Sequence, residues 1–300
     1  MKQKILVIGS SNTDMVFKTN EFPQPGETVL GQTFLMNPGG KGANQAVAAA
    51  RLGSKVRFIT KVGEDIFGKQ SLEGFEKEGL DLDFVLKTPH FPSGVASIVV
   101  NGRGENQIIV ASGANMDLKP SDLADIIFEE AGLVLIQLEI PLETVRYIIE
   151  KCKSRNSKVI LNPAPAQKLD DELLDGLYLI TPNETETEIL TGILPDDLNS
   201  LKAASLYLHD RGVENVIITL GKQGVYLSNN FYQEIIPSEE VVAVDTTAAG
   251  DVFNGAVITA LSEGKDWVEA CQFACKASAI SVTRMGAQSS APYQHEINQV

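Results

Sequence analysis

LVLIQLEIPLETVRYIIEKCKSRNSKVIL, residues 133–161, decides the fold class of this chain. It starts and ends with short apolar runs, 133–138 and 159–161, which are typical of strands buried on both faces. Between them, Pro141 suits the first turn of a helix, and apolar residues then recur at helical spacing up to Lys153. A strand, a helix and a second strand in this order predict two neighbouring parallel strands joined by a helix.

The same alternation continues along most of the sequence. Glycines stand where helix C-terminal caps belong, at Gly53, Gly79, Gly212 and Gly264. The short apolar runs that predict buried strands lie at 5–8, 56–60, 133–138, 159–161, 177–180 and 216–220. We therefore predict an α/β fold for the single domain 1–300, a doubly wound and mostly parallel sheet flanked by helices.

Two stretches, approximately 13–37 and 91–110, alternate polar and apolar residues without helical periodicity. Within the second, the runs 96–100 and 106–110 are separated by Asn101-Gly102-Arg103-Gly104-Glu105, which is typical of a hairpin turn. We expect these insertions to form a small antiparallel β-sheet attached to the main domain. Such a sheet has a free face that could close as a lid over a substrate or meet a partner subunit.

Composition limits the classes of partner. The 300 residues carry a formal net charge of −14, and the pI is about 4.7. This balance argues against binding to nucleic acid or to an acidic membrane, because both require basic surfaces. No apolar segment approaches the roughly 20 residues that span a bilayer, and the apolar run near the N-terminus is too short for a signal peptide. We expect a cytoplasmic protein.

The three cysteines, Cys152, Cys271 and Cys275, form neither a disulfide framework nor a zinc-binding pattern. The simplest interpretation is three small buried thiols.

A candidate anion site lies between an expected strand at 241–244 and a helix that begins near Val252. The intervening segment Thr246-Thr247-Ala248-Ala249-Gly250-Asp251 has small residues, which let backbone amides turn toward a ligand. The N-terminus of the helix adds partial positive charge, so the segment could stabilise a phosphoryl group during transfer. Asp251 would then lie where a carboxylate can accept the proton of a substrate hydroxyl. On spacing alone, a helix-capping aspartate is an equally good interpretation.

Three motifs in order carry a family resemblance: Gly39-Gly40-Lys41-Gly42-Ala43-Asn44-Gln45-Ala46, Thr181-Pro182-Asn183-Glu184-Thr185-Glu186, and Asp245 to Asp251 followed by Phe253-Asn254-Gly255. Over residues 5–292 the chain resembles the ribokinase-like carbohydrate kinases. The resemblance implies an ATP-dependent sugar kinase with Asp251 as general base and an anion hole at 248–251, formed by Ala248, Ala249, Gly250 and Asp251. Further similarity at 9–14, 25–29, 137–139, 162–166 and 283–288 makes D-ribose, phosphorylated at its 5-hydroxyl, the expected acceptor.

The resemblance also implies which residues bind the substrates. The expected sugar contacts are Asn12, Asp14, Gly40, Lys41, Asn44, Glu139 and Asp251, and the expected ATP contacts are Asn183, Glu186, Thr219, Gly221, Gly224, Gly250 and Cys275. Other interpretations stay open from the residues alone. Asn12 and Asp14 could form an Asx turn, the glycines at 39–42 could act as a hinge, and Glu139 could be a solvated side chain.

Family resemblance further implies Mg²⁺ with the nucleotide and a monovalent cation, usually K⁺, beside the anion hole. The matching cation positions are Asp245, Thr247, Ser281, Arg284, Gly286 and Ser290, mostly through backbone carbonyls. A homodimer formed through the lid sheet is implied as well.

Three alternatives remain. The acceptor could be deoxyribose, fructose or a nucleoside. A protein that kept the fold without catalysis could bind a sugar as a regulator, although Asp251 and Gly250 are both present. A dinucleotide-dependent oxidoreductase is disfavoured because the first strand is followed by Gly9-Ser10-Ser11-Asn12 and not by G-x-G-x-x-G.

Overall fold

A computed structural model describes residues 4–129 and 131–297 of the chain. In chain order its strands are β1 (Lys4–Ile8), β2 (Asn12–Lys18), β3 (Thr33–Gly39), β4 (Val56–Ile59), β5 (Lys61–Gly63), β6 (Leu86–Thr88), β7 (Gly94–Val100), β8 (Asn106–Ala111), β9 (Ala131–Ile136), β10 (Lys158–Leu161), β11 (Leu179–Ile180), β12 (Asn215–Thr219), β13 (Val225–Ser228) and β14 (Gln233–Ile236). Its α-helices are α1 (Lys41–Arg51), α2 (Ile66–Lys77), α3 (Leu142–Ser154), α4 (Asp171–Leu174), α5 (Glu184–Thr191), α6 (Leu198–His209), α7 (Ala249–Ser262), α8 (Trp267–Ser281) and α9 (Gln294–Ile297).

The main sheet has eight strands in the order β14-β13-β12-β11-β10-β9-β1-β4. From β12 to β4 all neighbours pair in parallel, and only β13 and β14 add antiparallel pairs. The pairings Ile8↔Ile136 and Ile136↔Leu161 show that these strands end at one level. The prediction of a doubly wound, mostly parallel sheet is confirmed, and residues that follow these strands meet at one edge.

Side chains alternate between the two faces of this sheet, so each face carries its own core. Ile5 and Val7 of β1 belong to a cluster formed with the alanine-rich helices α1, α7 and α8. Leu6 and Ile8 belong to the cluster on the other face, which includes Val145 of α3 and residues of α6. Burial on both faces explains why the strands are almost uniformly apolar.

Helices α1 and α7 pack unusually close together. A Cβ on Gly255 of α7 would lie 2.6 Å from Ala48 Cβ and 2.7 Å from the Gln45 carbonyl oxygen of α1. The glycine and the alanines of α1 therefore allow close backbone approach, which brings the first turns of both helices together.

A second sheet, the lid sheet, has the strand order β3-β2-β7-β8. Its outer pairs, β2–β3 and β7–β8, are antiparallel, while the central pair β2–β7 is parallel. The expected small sheet and the hairpin at 94–111 are thus present, but the prediction that the sheet is antiparallel is wrong for its central pair, because β2 and β7 come from separate insertions and run in the same direction. The chain enters the lid sheet through Ser10 and Ser11 after β1, and returns to α1 through Gly40.

The strand expected at 241–244 is absent, so that prediction is wrong. Val242 is 86% exposed, and the segment has no strand partner. Instead, the end of this segment is attached to the residue after α8. The backbone N–H groups of Val244 and Asp245 both donate to the Val282 carbonyl, at 2.7 and 3.1 Å. A run of valines alone does not make a strand when the adjacent sheet edge is elsewhere.

The four capping glycines follow helices α1, α2, α6 and α7 with φ between 73° and 91°, as predicted. All three cysteines are buried and free. Within residues 4–129 and 131–297, no helix combines the length and apolar character needed to cross a bilayer.

We predict that Gly255→Ala lowers the free energy of unfolding by about 1–3 kcal/mol, because the added methyl group forces α1 and α7 apart. The matched control is Gly74→Ala in α2, where a Cβ meets nothing within 4 Å. That change should stabilise by roughly 0.5–1 kcal/mol, since alanine favours a helix over glycine. Urea denaturation measures both. A Gly255→Ala protein as stable as the Gly74→Ala protein would contradict the close packing.

Candidate active site

A cavity of about 190 Å³ opens at the carboxyl edge of the main sheet, between the first turns of α1 and α7. It is lined by Lys41, Asn162, Ala164, Thr181, Asn183, Glu186, Thr219, Thr246, Ala248, Ala249, Gly250, Asp251 and Asn254. The parallel strands bring these residues together from distant parts of the sequence, which is the usual location of a ligand in a doubly wound sheet.

Asp251 lies in the first turn of α7 and is 6% exposed. Its Oδ2 accepts a hydrogen bond from Asn44 Nδ2 and its Oδ1 accepts one from Gln45 Nε2, both at 2.9 Å. The N-cap position is Ala248, which has no capping side chain. The helix-capping interpretation of Asp251 is therefore wrong, because its carboxylate bonds to α1 and not to its own helix terminus.

Burial raises the pKa of Asp251, while the Lys41 ammonium and the amides of Asn44 and Gln45 oppose the rise. Burial by itself would lower the pKa of Lys41. The negative charges of Asp251 and Glu139 outweigh this effect, so the pKa of Lys41 is raised above its ordinary value. Lys41 therefore stays charged and is the main cation available to an anionic ligand in this cavity.

The turn before α7 is shaped to present backbone donors. Ala248 adopts a left-handed conformation with φ 59°, so this turn accommodates a Cβ. The Ala249 N–H donates to the Thr246 carbonyl at 3.3 Å, and Asn254 Nδ2 donates to the Gly250 carbonyl at 2.8 Å. The N–H groups of Gly250 and Asp251 lie in the first helical turn, where no earlier helical carbonyl can accept them.

Glu139 follows β9 and ties two segments together. One carboxylate oxygen accepts a short hydrogen bond from Ser10 Oγ and another from the backbone N–H of Lys41 at 3.1 Å. The Gly42 N–H in turn donates to Ser10 Oγ at 3.3 Å. Two predicted sugar residues, Glu139 after β9 and Lys41 at the start of α1, are thus in direct contact, and Glu139 is not simply a solvated side chain.

Asp14 and Asn12 begin the lid sheet directly above the glycines of the α1 entry. A Cβ on Gly39 would lie 2.3 Å from Asp14 Oδ2, and a Cβ on Gly40 would lie 2.7 Å from the Asn12 nitrogen. Gly40 also has φ 89°. Burial, followed by the charges of Glu139 and Asp251, raises the pKa of Asp14 to about 6.

Sequence reasoning missed Asn115, which lies in a short 3-10 turn, Gly113–Asp117. Its Nδ2 donates to Asn12 Oδ1 at 2.8 Å, and its Oδ1 accepts the Ser11 N–H at 2.9 Å. The Asn12 amide is thereby oriented with its NH₂ group as its remaining donor. No local pattern could indicate this, because the two asparagines are 103 residues apart.

A chain of buried amides behind Asp251 was missed as well. Gln137 Nε2 donates to Gln45 Oε1 at 2.6 Å, and Gln45 Nε2 donates to Asn162 Oδ1 at 2.9 Å as well as to Asp251. All three amide residues fall inside conspicuous sequence motifs, so their positions were visible although their mutual contact was not.

A second cavity, of about 110 Å³, contains most of the residues predicted for ATP. It is lined by Thr219, Gly221, Gly224, Val225, Ser238, Ala249, Gly250, Phe253, Cys275 and Ser278. The predicted residues of the β12–β13 turn, the start of α7 and α8 are therefore brought together. Burial raises the pKa of the Cys275 thiol to about 12, which leaves it a neutral packing group.

Asn183 and Glu186 line the first cavity and also cap α5. Asn183 Oδ1 accepts the Glu186 N–H at 2.8 Å, and Glu186 Oε2 accepts the Asn183 N–H at 2.9 Å. This capping box uses one oxygen of each side chain. The second carboxylate oxygen of Glu186 is left for other partners, and burial raises the pKa of this group.

Of the residues expected to hold the monovalent cation, Asp245, Thr247 and Gly286 are joined by hydrogen bonds. Asp245 Oδ1 accepts from Thr247 N and Oγ1 at 2.9 and 2.6 Å, and Oδ2 accepts the Gly286 N–H at 2.9 Å. The Arg284 guanidinium instead pairs with Glu296. The Ser281 and Ser290 hydroxyls donate to nearby carbonyls of Ser278 and Ala287.

In the part of the chain that the structure describes, no group of three or more His, Cys, Asp or Glu side chains is arranged to hold a metal ion.

Comparison with known proteins decides the family. The model of the pfkB family carbohydrate kinases matches residues 2–294. This chain belongs to the pfkB family of carbohydrate kinases. It is 47% identical over 299 residues to the ribokinase of Haemophilus influenzae, a match that covers 99% of this chain and 97% of that one. It is also 41% identical to a deoxyribokinase of Salmonella typhi, covering 98% of this chain and 97% of that protein.

Solved structures of the family agree with the fold. The ribokinase of Thermotoga maritima is 44% identical and superposes with a TM-score of 0.90, covering 99% of this chain and 98% of that one. An Arabidopsis thaliana ribokinase, solved in complex with ribose and ATP, is 34% identical with a TM-score of 0.93 over 100% of this chain and 98% of that one. The family, the fold and the carbohydrate kinase activity expected from the sequence are confirmed.

We predict that sugar affinity falls as the pH is lowered from 8 to 5, with a midpoint near the pKa of about 6 at Asp14. If Asp14 contacts the sugar as expected, its carboxylate would accept hydrogen bonds from two sugar hydroxyls above this pKa, whereas below it one oxygen becomes a donor. Calorimetric titration of the sugar without nucleotide measures the effect. Asp14→Asn should bind weakly with little pH dependence. The same pH dependence in this variant would assign the titration to another group.

Proposed function

We propose that this protein transfers the γ-phosphoryl group of ATP to the 5-hydroxyl of D-ribose, producing ribose 5-phosphate and ADP. One observation carries the proposal. The two cavities share Thr219, Ala249 and Gly250. The first cavity also contains Lys41 and Asp251 of the expected sugar contacts, beside Asn183 and Glu186 of the expected ATP contacts. The first turn of α7 therefore lies where the two sets of expected contacts meet, and phosphoryl transfer would take place there, at Gly250 and next to Asp251.

In this mechanism the 5-hydroxyl of the sugar lies against the Asp251 carboxylate. Asp251 accepts the hydroxyl proton as the bond from O5 to the γ-phosphorus forms and the bond from that phosphorus to the β-phosphate oxygen breaks. The N–H groups of Gly250 and Asp251 stabilise the negative charge on the phosphoryl oxygens during transfer. Lys41 lines the same cavity and adds a positive charge.

The sugar is held by groups from three segments. Asp14 accepts from neighbouring hydroxyls, and Asn12 donates through its free NH₂ group. The Asn44 Oδ1 atom is buried without a hydrogen-bond partner among the described residues, which suits an acceptor awaiting a sugar hydroxyl. Glu139, which accepts the Lys41 N–H, is the remaining carboxylate of the proposed sugar site.

The residues present offer oxygen ligands for both expected ions, Mg²⁺ and K⁺. Mg²⁺ is commonly held by one or two carboxylates together with phosphates and water. Glu186, which lines the first cavity and uses only Oε2 in its capping box with Asn183, would supply such a carboxylate. When bound, Mg²⁺ neutralises charge on the nucleotide phosphates. A K⁺ ion would use carbonyls of the loops at Asp245, Thr247, Ser281, Arg284, Gly286 and Ser290. The Asp245 carboxylate already draws Thr247 and Gly286 together.

We also propose that the lid sheet closes over the sugar and forms a homodimer. The support is its exposed apolar side chains on both faces, among them Phe34 at 52%, Ile108 at 54% and Ile109 at 73% exposure. Monomeric proteins seldom expose a patch of this kind. Sedimentation equilibrium tests the dimer, and a monomer at micromolar concentration would contradict it. The cytoplasmic location stays a prediction from the sequence.

Deoxyribose is the second candidate acceptor, favoured by the 41% identity to a deoxyribokinase. A coupled assay that compares kcat/KM for ribose, deoxyribose, fructose and a nucleoside at matched concentrations separates the candidates. We expect the highest value with ribose, and higher rates in K⁺ than in Na⁺ buffer. Preference for another acceptor would overturn the choice of ribose, and ribose binding without ATP turnover would support a non-catalytic regulator.

We predict that Asp251→Asn folds and loses about 10²- to 10⁴-fold in kcat, the usual contribution of a general base. Thermal unfolding should show a stability equal to or above that of the wild type, because a buried charge is removed. The matched control is Glu188→Gln, which removes one carboxylate charge from the exposed side of nearby α5. It should keep wild-type turnover. Activity of Asp251→Asn close to that of this control would rule out Asp251 as the base.

A further inference from the structure

We infer that Gln45 is a positioning residue for the Asp251 base, acting through the hydrogen bond between Gln45 Nε2 and Asp251 Oδ1. This inference rests on the proposed function, which makes Asp251 the general base. Gln45 itself is fully buried, at 0% exposure, so its side chain is not open to the sugar or the nucleotide.

The orientation of the Gln45 amide is imposed by its neighbours. Gln137 Nε2 donates to Gln45 Oε1 at 2.6 Å, which requires the Gln45 NH₂ group to point the other way. There it meets two acceptors, Asn162 Oδ1 and Asp251 Oδ1, each at 2.9 Å. A flipped amide would place its oxygen against both of these oxygens and leave the Gln137 donor facing another donor.

Asn162 is oriented by a further hydrogen bond, and Gln137 is enclosed by its surroundings. Asn162 Nδ2 donates to the Thr181 carbonyl at 3.3 Å, which turns Asn162 Oδ1 toward Gln45. Gln137 is fully buried and lies against Gly9, where a Cβ would come within 2.1 Å of Gln137 Oε1. Gly9 thus leaves space for the Gln137 amide at the end of β1. The amide chain connects the ends of β1, β9 and β10 to the base.

This arrangement has two effects on Asp251. First, a buried carboxylate resists ionisation, and a donor to its charged form lowers the pKa again. Second, Oδ1 is held by Gln45 while Oδ2 is held by Asn44, so the carboxylate plane is fixed from both sides. A fixed carboxylate loses less freedom when a hydroxyl binds.

The test uses Gln45→Met, which keeps the length of the side chain and removes the amide. Because a hydrogen bond to a charged group is typically worth about 1.5–3 kcal/mol, we expect kcat to fall about 10- to 100-fold. The sugar KM should change by less than about threefold, as for a group that acts in the transition state. The acid limb of the kcat profile should move to higher pH, because loss of the donor raises the pKa of Asp251.

The matched control is Thr259→Val, which removes a buried hydroxyl at the same α1–α7 contact without touching Asp251. Thr259 Oγ1 donates to the Gly255 carbonyl at 2.8 Å and accepts from Ser54 Oγ at 3.0 Å. We expect this variant to lose stability but to keep the wild-type acid limb and kcat. A merely structural role of Gln45 would make the two variants alike, and that result would overturn the inference.

Gln137→Met is the second variant, which decides the question if Gln45→Met does not fold. It removes the bond that orients Gln45 and leaves the donor to Asp251 in place, so a smaller change in the same direction is expected. Wild-type kcat and acid limb in Gln137→Met would then overturn the inference.

Failure of the proposed kinase function can be distinguished from failure of the inference about Gln45. A wild-type protein that phosphorylates no acceptor in the panel would remove the base assignment, whatever Gln45 does. The positioning contact is then still measured by carbon NMR titration of the Asp251 carboxyl, assigned with Asp251→Asn. A higher pKa in Gln45→Met than in the wild type supports the contact, and an equal pKa contradicts it.

Discussion

The burial of one carboxylate, Asp251, is the constraint on which the site depends. A charge taken out of water needs donors that replace its hydration, and here they come from a different helix. Asn44 and Gln45 of α1 reach Asp251 because α1 and α7 are in close contact at Gly255. The close packing of two helices is therefore a condition for holding the carboxylate at the start of α7, and not only a source of stability.

This placement also explains how one site can serve two ligands. The helix start that carries Asp251 borders both cavities through Ala249 and Gly250, and the N–H groups of Gly250 and Asp251 lie in the same first turn. The lid sheet begins at Asn12 and Asp14, which lie over the α1 entry at Gly39 and Gly40. If these residues bind the sugar as proposed, sugar binding and the position of the lid sheet depend on the same few residues.

Much of this could be predicted from the sequence, for physical reasons that are local. Strands buried on both faces leave uniform apolar runs, and glycines with positive φ mark helix ends. The small residues and the helix start around Asp251 indicated a candidate base, although only the family resemblance distinguished it from a helix cap. The segment 241–244 misled because its valines resemble a strand, while pairing depends on a neighbouring sheet edge that lies elsewhere.

The contacts that could not be predicted join residues that are far apart in the sequence. Asn115 orients Asn12 across 103 residues, and Gln137 reaches Gln45 across 92. Both pairs depend on which strand ends lie side by side, and that order follows only from the assembled sheet. The hydrogen bond from Gln45 to Asp251 belongs to the same class, which is why its role emerges from the fold and not from the motif.

The most direct test of the account is a crystal structure with ribose and a non-hydrolysable ATP analogue bound together. The account predicts the ribose 5-hydroxyl within about 2.6–3.2 Å of an Asp251 carboxylate oxygen, in line with the γ-phosphorus. It also predicts γ-phosphate oxygens at the N–H groups of Gly250 and Asp251. A sugar bound with its 5-hydroxyl away from Asp251, or a γ-phosphate held elsewhere, would contradict it.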